Sequence, residues 1–217
     1  MVASRADSLV QPPEESRDYS GFPSFTTQDG RQWFRAHLAR HSPWWFSNYE
    51  GRFNLEGNRG TLNTASSAQV AIQEFLGPTL ARGGAVNQSL LAELVISALP
   101  IPRRDVADFL HPNAPSYGIV RGDFSGPLPN GYGTTRVWAQ TLDRAGHDGI
   151  RARSRFGSGT SPTCLYLFGD AGVHELATAG VVVDAVSVAE QLEGIVVEDV
   201  TTAAEIRIEG DRRQSGD

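Results

Sequence analysis

One segment of the chain has a clear helical period, and this period constrains the fold more than any other feature of the sequence. Its apolar side chains recur at intervals that place them on one face of an α-helix: Ala68, Ala71, Ile72, Phe75 and Leu76. Ser66 or Ser67 precedes the segment as a candidate N-cap, and Gly77-Pro78 predicts the end of the helix. On a helical wheel Glu74 falls at the edge of the apolar face, from which a carboxylate can point into a cleft.

Apolar runs elsewhere in the sequence predict β-strands. Residues 164–168 (CLYLF) are a strong candidate for a buried strand. Residues 134–145 have helical spacing, and further strands are expected in residues 181–188, 194–200 and 206–208. The hydrophobic pattern leaves two segments open between strand and helix: residues 32–41 and residues 90–99.

The length of 217 residues fits one domain with tails. Residues 1–28 are polar and contain three prolines, so they are expected to form an N-terminal arm or tail. The domain is predicted to span residues 29–208, followed by a polar C-terminal tail at residues 209–217. Within the domain, residues 100–133 contain six prolines and five glycines, which predicts a long irregular insert.

The composition excludes several classes of protein. All nineteen basic residues are arginine, which excludes mechanisms that need a lysine, such as Schiff-base chemistry or a Walker P-loop. The formal net charge of −6 disfavours direct nucleic acid binding by bulk charge. A single cysteine, Cys164, rules out an internal disulfide, and five scattered histidines predict no metal site. No signal peptide or membrane span is evident, so a soluble, cytoplasmic protein is expected.

Arginine and aromatic residues indicate a candidate anion site. Arg35 and Arg52 flank an aromatic cluster at residues 43–46, and Arg153 lies in an arginine-rich segment before a glycine-containing loop. Guanidinium donors match phosphate oxygens in pairs. Plainer interpretations stay open, since the aromatic cluster can be core packing and alternating arginines can form a solvated strand face. A Ser-His-Asp triad is not indicated, because no GxSxG motif is present, and Cys164 within an apolar strand is not favoured as a nucleophile.

Seven short pieces of the sequence occur in an order that is more specific than any one of them. They are Trp33-Phe34-Arg35, Gly51-Arg52-Phe53-Asn54-Leu55, Thr64-Ala65-Ser66, Ala71-Ile72-Gln73-Glu74, Trp138-Ala139, Asp148-Gly149-Ile150-Arg151-Ala152-Arg153-Ser154-Arg155 and Leu165-Tyr166-Leu167-Phe168-Gly169. In this order they resemble the RES-domain family, which is named for its Arg, Glu and Ser. The resemblance covers roughly residues 30–175, most of the chain.

The resemblance implies an α+β fold similar to that of ADP-ribosyltransferases, a single domain in which mixed, split β-sheets and flanking helices surround an NAD cleft. It implies a toxin that degrades NAD by cleaving the nicotinamide–ribose bond, with water or inorganic phosphate as the acceptor. NAD would be the substrate, and no resident cofactor is implied. Many family members are paired with an Xre-like antitoxin that blocks the cleft, so such an antitoxin is the expected partner. The sequence leaves the oligomeric state open, a homo-oligomer included.

The resemblance also assigns site residues by their position in the family motifs. The predicted catalytic residues are Arg52, Glu74 and Ser154, and the predicted NAD-binding residues are Arg35, Arg52, Asn63 and Arg153. Each type of residue has a structural alternative: an arginine can serve a structural ion pair, a glutamate can be a solvated helix residue, and a strand serine can bond to backbone.

Two positions depart from the family pattern. Asn63 stands where the family often has a tyrosine, and Glu56 stands where a proline is common. Asparagine can form hydrogen bonds but cannot stack on a ring. Two other functions stay open. One is a catalytically inactive RES-like binding module, of which Asn63 and the long insert at residues 100–133 would be the marks, and the other is an ADP-ribosyltransferase that modifies a protein. The presence of both Arg52 and Glu74 favours the NAD-degrading enzyme.

Overall fold

The structure is a computed structural model that describes residues 10–81, 85–126, 128, 131–180, 182–192 and 197–198. These residues form twelve β-strands and five α-helices. The strands are β1 Ser24–Thr26, β2 Arg31–Leu38, β3 Trp45–Phe46, β4 Arg59–Ala65, β5 Val86–Asn87, β6 Leu94–Ile101, β7 Asp105–Asp108, β8 Gly149–Arg153, β9 Thr163–Asp170, β10 Gly172–Val173, β11 Val182–Asp184 and β12 Val197–Glu198. The helices are α1 Ala68–Leu80, α2 Gln88–Glu93, α3 Arg121–Ser125, α4 Gly133–Arg144 and α5 Ala185–Glu190, with a 3-10 helix at Ala114–Tyr117.

Eight of the strands form one mixed sheet in the order β1-β7-β8-β9-β4-β2-β6-β11. Neighbouring strands run antiparallel, except β7 and β8, which are parallel. In the middle of the sheet β2 and β4 are joined at one pair, Phe34 with Ala65, whereas β4 and β9 pair at seven positions and β2 and β6 at eight. The sheet is therefore split at its centre. This mixed, split sheet with flanking helices confirms the predicted α+β fold.

The side chains of β2 divide the core into two faces. Phe34 and Ala36 pack with apolar residues of α1, α4 and α5 on one face, called here the helical face. Trp33 packs with Trp44 on the other, called here the tryptophan face. Because successive side chains of a strand point to opposite sides, the odd-numbered positions of β2 belong to the tryptophan face.

Helix α1 begins where the sequence predicts, but it does not end there. The Ser67 hydroxyl caps the helix by accepting a hydrogen bond from the Val70 amide at 3.2 Å. The predicted end at Gly77-Pro78 is wrong, because both residues lie inside the last turns. Proline keeps a helical φ and removes one backbone hydrogen bond, and the Ala81 amide still donates to the Gly77 carbonyl at 2.8 Å.

Gly77 serves packing and does not terminate the helix. A β-carbon at this position would lie 2.1 Å from the ring of Phe156. Phe156 belongs to the loop that follows β8. The absence of a side chain at Gly77 therefore sets how closely this loop approaches α1.

Two apolar segments each contain both a helix and a strand. Residues 90–99 contain both of the open alternatives, since α2 ends at Glu93 and β6 begins at the next residue. The strand predicted for residues 181–188 is wrong beyond Asp184, because the carboxylate of Asp184 caps α5. It accepts hydrogen bonds from the amides of Val186 at 3.3 Å and Ser187 at 3.0 Å.

The stretch 100–133 and the N-terminal arm both contribute to the sheet and the core. The stretch 100–133 carries β7, an inner strand of the sheet, as well as the 3-10 helix and α3, so it is not the irregular insert expected. In the N-terminal arm Tyr19 and Phe22 are buried, and β1 pairs with β7. The predicted strand at 206–208 and the tail at 209–217 lie outside the described residues. None of the described helices is long and apolar enough to cross a membrane.

Alanine at Gly77 is expected to destabilise the protein. Overpacking costs about 1–3 kcal/mol, which exceeds the roughly 0.5–1 kcal/mol that alanine gains over glycine inside a helix. Urea unfolding of Gly77→Ala is therefore expected to give a free energy of unfolding lowered by about 1 kcal/mol. Gly133→Ala in α4 is the matched control, since a β-carbon there meets nothing within 4 Å. Equal results for the two variants would contradict the role of Gly77.

Candidate active site

Glu74 lies on α1, and the loop after β8 holds its carboxylate. Its Oε1 atom accepts a hydrogen bond from the Ser154 hydroxyl and further bonds from the amides of Arg155 at 2.7 Å and Phe156 at 3.0 Å. Within the described residues Oε2 accepts no hydrogen bond. The three donors fix the direction of the carboxylate and leave one oxygen open to another group.

The loop itself is a tight turn that encloses the Ser154 hydroxyl. Ser154 Oγ accepts a hydrogen bond from the Gly157 amide at 2.7 Å, and the Ser154 amide donates to the Pro162 carbonyl at 2.9 Å. A β-carbon at Gly157 would lie 2.5 Å from Ser154 Oγ, so glycine is needed for the hydroxyl to fit. Ser154 is buried, which removes most competition from water for its hydroxyl.

Gln73, the residue before Glu74, binds the same loop farther along. Its Nε2 donates to the Ser158 hydroxyl at 2.7 Å, and its Oε1 accepts from the Ser158 amide at 3.1 Å. Two successive side chains of α1 therefore attach the loop to the helix.

Arg52 brings a positive charge near Glu74. Its Nη1 donates to the carbonyl of Phe124, and its Nη2 donates to the carbonyl of Gly126 at 3.0 Å. Burial lowers the pKa of Arg52, and the nearby Arg155 lowers it further, whereas Glu74 acts in the opposite direction. In the described part of the chain Arg52 forms no ion pair. Carbonyl dipoles therefore orient the guanidinium without neutralising it.

Asn63 and Tyr166 are paired directly across β4 and β9, on the helical face. Asn63 is exposed, so its amide is open to a ligand. Tyr166 is buried, with its ring edge against Phe53 at a centroid distance of 4.7 Å. The resemblance assigns a role to Asn63 but none to Tyr166, which the apolar pattern assigns only to a buried strand. Alternate side chains of a strand point to the same side, so Tyr166 lies on the same side of β9 as Cys164. This period of two is the sequence signal that gives the orientation of Tyr166.

Arg35 makes its contacts on the tryptophan face. Its Nη1 donates to the carbonyls of Pro43 at 3.1 Å and Trp45 at 2.7 Å. Burial lowers the pKa of Arg35 to about 10, so the side chain stays charged at neutral pH. Among the described residues, none of its hydrogen bonds is to Glu74 or Arg52. The structure therefore brings together Arg52, Glu74 and Ser154, but not Arg35, whose binding of NAD stays a prediction.

Arg153 lies exposed at the end of β8, beside a small cavity near the carbonyl to which Arg52 donates. The residues that line this cavity are Phe109, Leu110, Phe124, Ser125, Ala152 and Arg153. Arg153 is thus close to the segment that orients Arg52. No group of three or more potential metal ligands occurs among the residues that the structure describes.

Comparisons with known proteins concern the family and the fold of the chain. The family model of the RES domain matches residues 32–187, a range that contains every predicted site residue. The fold is similar to a chain in the crystal structure of the M. tuberculosis MbcT–MbcA toxin–antitoxin complex, with a TM-score of 0.59 at 13% sequence identity. The match covers 80% of this chain and 92% of that chain. A search among curated protein sequences finds no match. Because the family model matches well over half of the chain, the chain belongs to the RES-domain family.

Proposed function

We propose that this protein is a toxin of the RES family that degrades NAD by cleaving the bond between nicotinamide and ribose. The observation that carries the proposal is the Glu74 carboxylate, oriented through Oε1 and open at Oε2, close to the cation of Arg52. Membership of the RES family supports it, as does the fold shared with a chain of a toxin–antitoxin complex.

The chemistry of the reaction suits a fixed carboxylate. Cleavage passes through a state with positive charge on the ribose, as glycoside hydrolysis does. A carboxylate beside the anomeric carbon stabilises that charge best when it does not have to reorient. Nicotinamide leaves as a neutral ring and needs little acid assistance. In this proposal Glu74 acts through Oε2, and Ser154 contributes to catalysis by holding Glu74.

Arg52 is the proposed ligand for the pyrophosphate of NAD. Its bonds to two carbonyls leave the other N–H groups of the guanidinium for phosphate oxygens. Arg155 adds a second positive charge nearby. Asn63 and Arg153 are both exposed and are the proposed further contacts to the substrate.

A protein antitoxin is the proposed partner. The similar crystal structure is that of a toxin–antitoxin complex, and the family resemblance implies an antitoxin of the Xre-like type. Loss of NAD harms the cell that makes the enzyme, so a partner that covers the cleft would hold the activity in check. The proposed location is the cytoplasm, where substrate and antitoxin are both present.

Glu74→Gln is expected to lower kcat for NAD cleavage by about 100-fold or more, because it removes the charge that stabilises the transition state. KM for NAD is expected to stay nearly unchanged. The measurement is release of nicotinamide from NAD by the purified protein, with and without inorganic phosphate. Glu93→Gln is the control, since Glu93 is an exposed carboxylate that pairs with Arg40 at 2.9 Å. It is expected to behave like the wild type.

The outcomes of this assay separate the alternatives. Release that requires phosphate identifies a phosphorylase, and release without phosphate identifies a glycohydrolase. Wild-type turnover in Glu74→Gln would contradict the site. No release by the wild-type protein would contradict the proposed activity, and labelled NAD would then distinguish ADP-ribosylation of a protein from an inactive binding module.

Arg52→Ala is expected to raise KM for NAD at least about tenfold, because a charge-assisted bond is worth roughly 1.5–3 kcal/mol. Steady-state kinetics of NAD cleavage measure the effect, and urea unfolding shows whether the variant folds. Arg144→Ala serves as the control, since Arg144 is an exposed residue of α4. An equal KM for NAD in both variants would show that Arg52 does not bind the substrate.

Arg35→Ala is expected to lower the free energy of unfolding by about 1–3 kcal/mol, because the carbonyls of Pro43 and Trp45 lose their donor. Urea unfolding measures this loss, and unchanged stability would contradict the role of Arg35 in holding this segment. A rise in KM for NAD in the folded variant would support the phosphate-binding role that the resemblance implies.

A further inference from the structure

Helix α4 contacts the segment that carries Arg52 through one arginine, Arg136. Its Nε atom donates to the carbonyl of Asn54 at 3.2 Å, and its Nη2 atom pairs with the Glu56 carboxylate at 2.9 Å. Asn54 is buried, and the Arg136 side chain is 19% exposed. One guanidinium group therefore holds two positions of the connection between β3 and β4, both of them shortly after Arg52 in the chain.

Buried side chains of α4 fix the position from which Arg136 reaches this segment. Trp138, Ala139 and Leu142 are buried and belong to the core of the helical face. The Arg136 amide donates to the Tyr132 carbonyl at 2.9 Å, a bond in the first turn of the helix. Arg136 therefore connects the segment to a helix that is anchored in the core.

The same end of α4 also lies close to Arg52 itself. The centroid of the Tyr132 ring lies 6.0 Å from Arg52 Cζ. Tyr132 is the N-cap of α4, and Arg136 follows it after about one helical turn. This end of α4 therefore lies beside both the guanidinium of Arg52 and the backbone that carries it.

Glu56, one of the two departures from the family pattern, has a specific partner in this contact. A proline at this position would fix one backbone dihedral angle of the segment. Glutamate leaves that angle free, but its carboxylate pairs with Arg136. An exposed ion pair alone contributes little, whereas here the same guanidinium also bonds to a backbone carbonyl. The two bonds together constrain the segment from the side of α4.

We propose that Arg136 is a positioning residue for Arg52, with Glu56 as its partner. Through the Asn54 carbonyl and the Glu56 carboxylate it fixes the backbone that carries Arg52, and with it the direction of the Arg52 guanidinium. Arg136 itself touches no substrate in this arrangement. For its kinetic readout this inference rests on the proposed NAD cleavage, with Arg52 as the ligand for the pyrophosphate.

Arg136→Ala is expected to raise KM for NAD about three- to tenfold, because the segment loses the equivalent of one net hydrogen bond. The value of kcat is expected to stay close to that of the wild type, since the bonds that hold Glu74 are not changed. Steady-state kinetics of nicotinamide release measure both constants. An unchanged KM, or a loss confined to kcat, would overturn the assignment of Arg136 to Arg52.

Asp143→Asn is the matched control for a general loosening of α4. Asp143 lies on the same helix, its side chain is 20% exposed, and it pairs at 2.7 Å with Arg59, the first residue of β4. Loss of this pair weakens the attachment of α4 to the sheet but leaves the bonds of Arg136 in place. KM for NAD is expected to stay at the wild-type value. An equal rise of KM in Asp143→Asn and Arg136→Ala would overturn the positioning role.

Glu56 tests whether the two partners act together. Glu56→Gln removes the charge and is expected to raise KM for NAD about two- to threefold, because the bond to the Asn54 carbonyl remains. Adding this change to Arg136→Ala is expected to cause no further rise. Effects that multiply fully would overturn the link between Glu56 and Arg136. Since the Glu56 side chain is 55% exposed, Glu56→Gln also tests the contact if Arg136→Ala does not fold.

Amide hydrogen exchange tests the contact without NAD. The Asn54 amide donates to the Gly51 carbonyl at 3.3 Å, a bond that closes the turn containing Arg52. Its exchange is expected to accelerate about threefold or more in Arg136→Ala and to stay unchanged in Asp143→Asn. If the wild-type protein cleaves no NAD but exchange accelerates as expected, only the proposed function fails. Wild-type exchange in Arg136→Ala would overturn the positioning role.

Discussion

The bonds from the 154–157 turn to the Glu74 carboxylate are the interaction on which the rest of the site depends. A glutamate at the edge of a helix samples several rotamers in water, and ordering it costs conformational entropy. Here two of the three donors are backbone amides, which need no side-chain ordering of their own. The same contact explains two glycines. Gly77 lets the ring of Phe156 lie against α1, and Gly157 lets the Ser154 hydroxyl lie inside the turn.

The split sheet decides which side chains can meet at this carboxylate. Asn63 and Tyr166 lie on the helical face, together with α1. Arg35, one position after Phe34 on β2, points to the opposite side and holds the segment that contains Pro43 and Trp45. The position of Arg35 within β2 thus directs its side chain away from the helical face, whereas Arg52 lies in the connection between β3 and β4.

Some of the site could be predicted from sequence, for physical reasons that apply to particular residues. The helical period places Glu74 at the edge of a buried face, and the order of the family motifs indicates Ser154. That the two side chains meet across 80 residues of chain is a matter of sheet register, which local patterns do not contain. Tyr166 could not be singled out from the sequence for a different reason. Packing alone accounts for an apolar strand pattern, so the pattern does not reveal a buried hydroxyl.

The ends of helices and strands that were predicted wrongly from the sequence have local causes. Pro78 is a helix-ending signal only where the missing amide matters, and in the last turn of α1 it removes one bond. Asp184 converts a valine-rich strand into a helix because its carboxylate caps the next amides, an effect that hydrophobic periodicity ignores. The stretch 100–133 has the prolines and glycines of a loop, yet it supplies an inner strand, because β7 needs only the four residues Asp105–Asp108.

The way in which Arg52 is held has a consequence for anion exchange. An arginine oriented by a carboxylate must surrender that partner, or share it, whenever another anion arrives. Arg52 is oriented by the carbonyls of Phe124 and Gly126, which are dipoles without net charge. An arriving anion therefore displaces no bound counter-charge from the protein, and the guanidinium need not rotate to receive it. The site is pre-organised for capture and release in the same geometry, which keeps the reorganisation energy of both steps small.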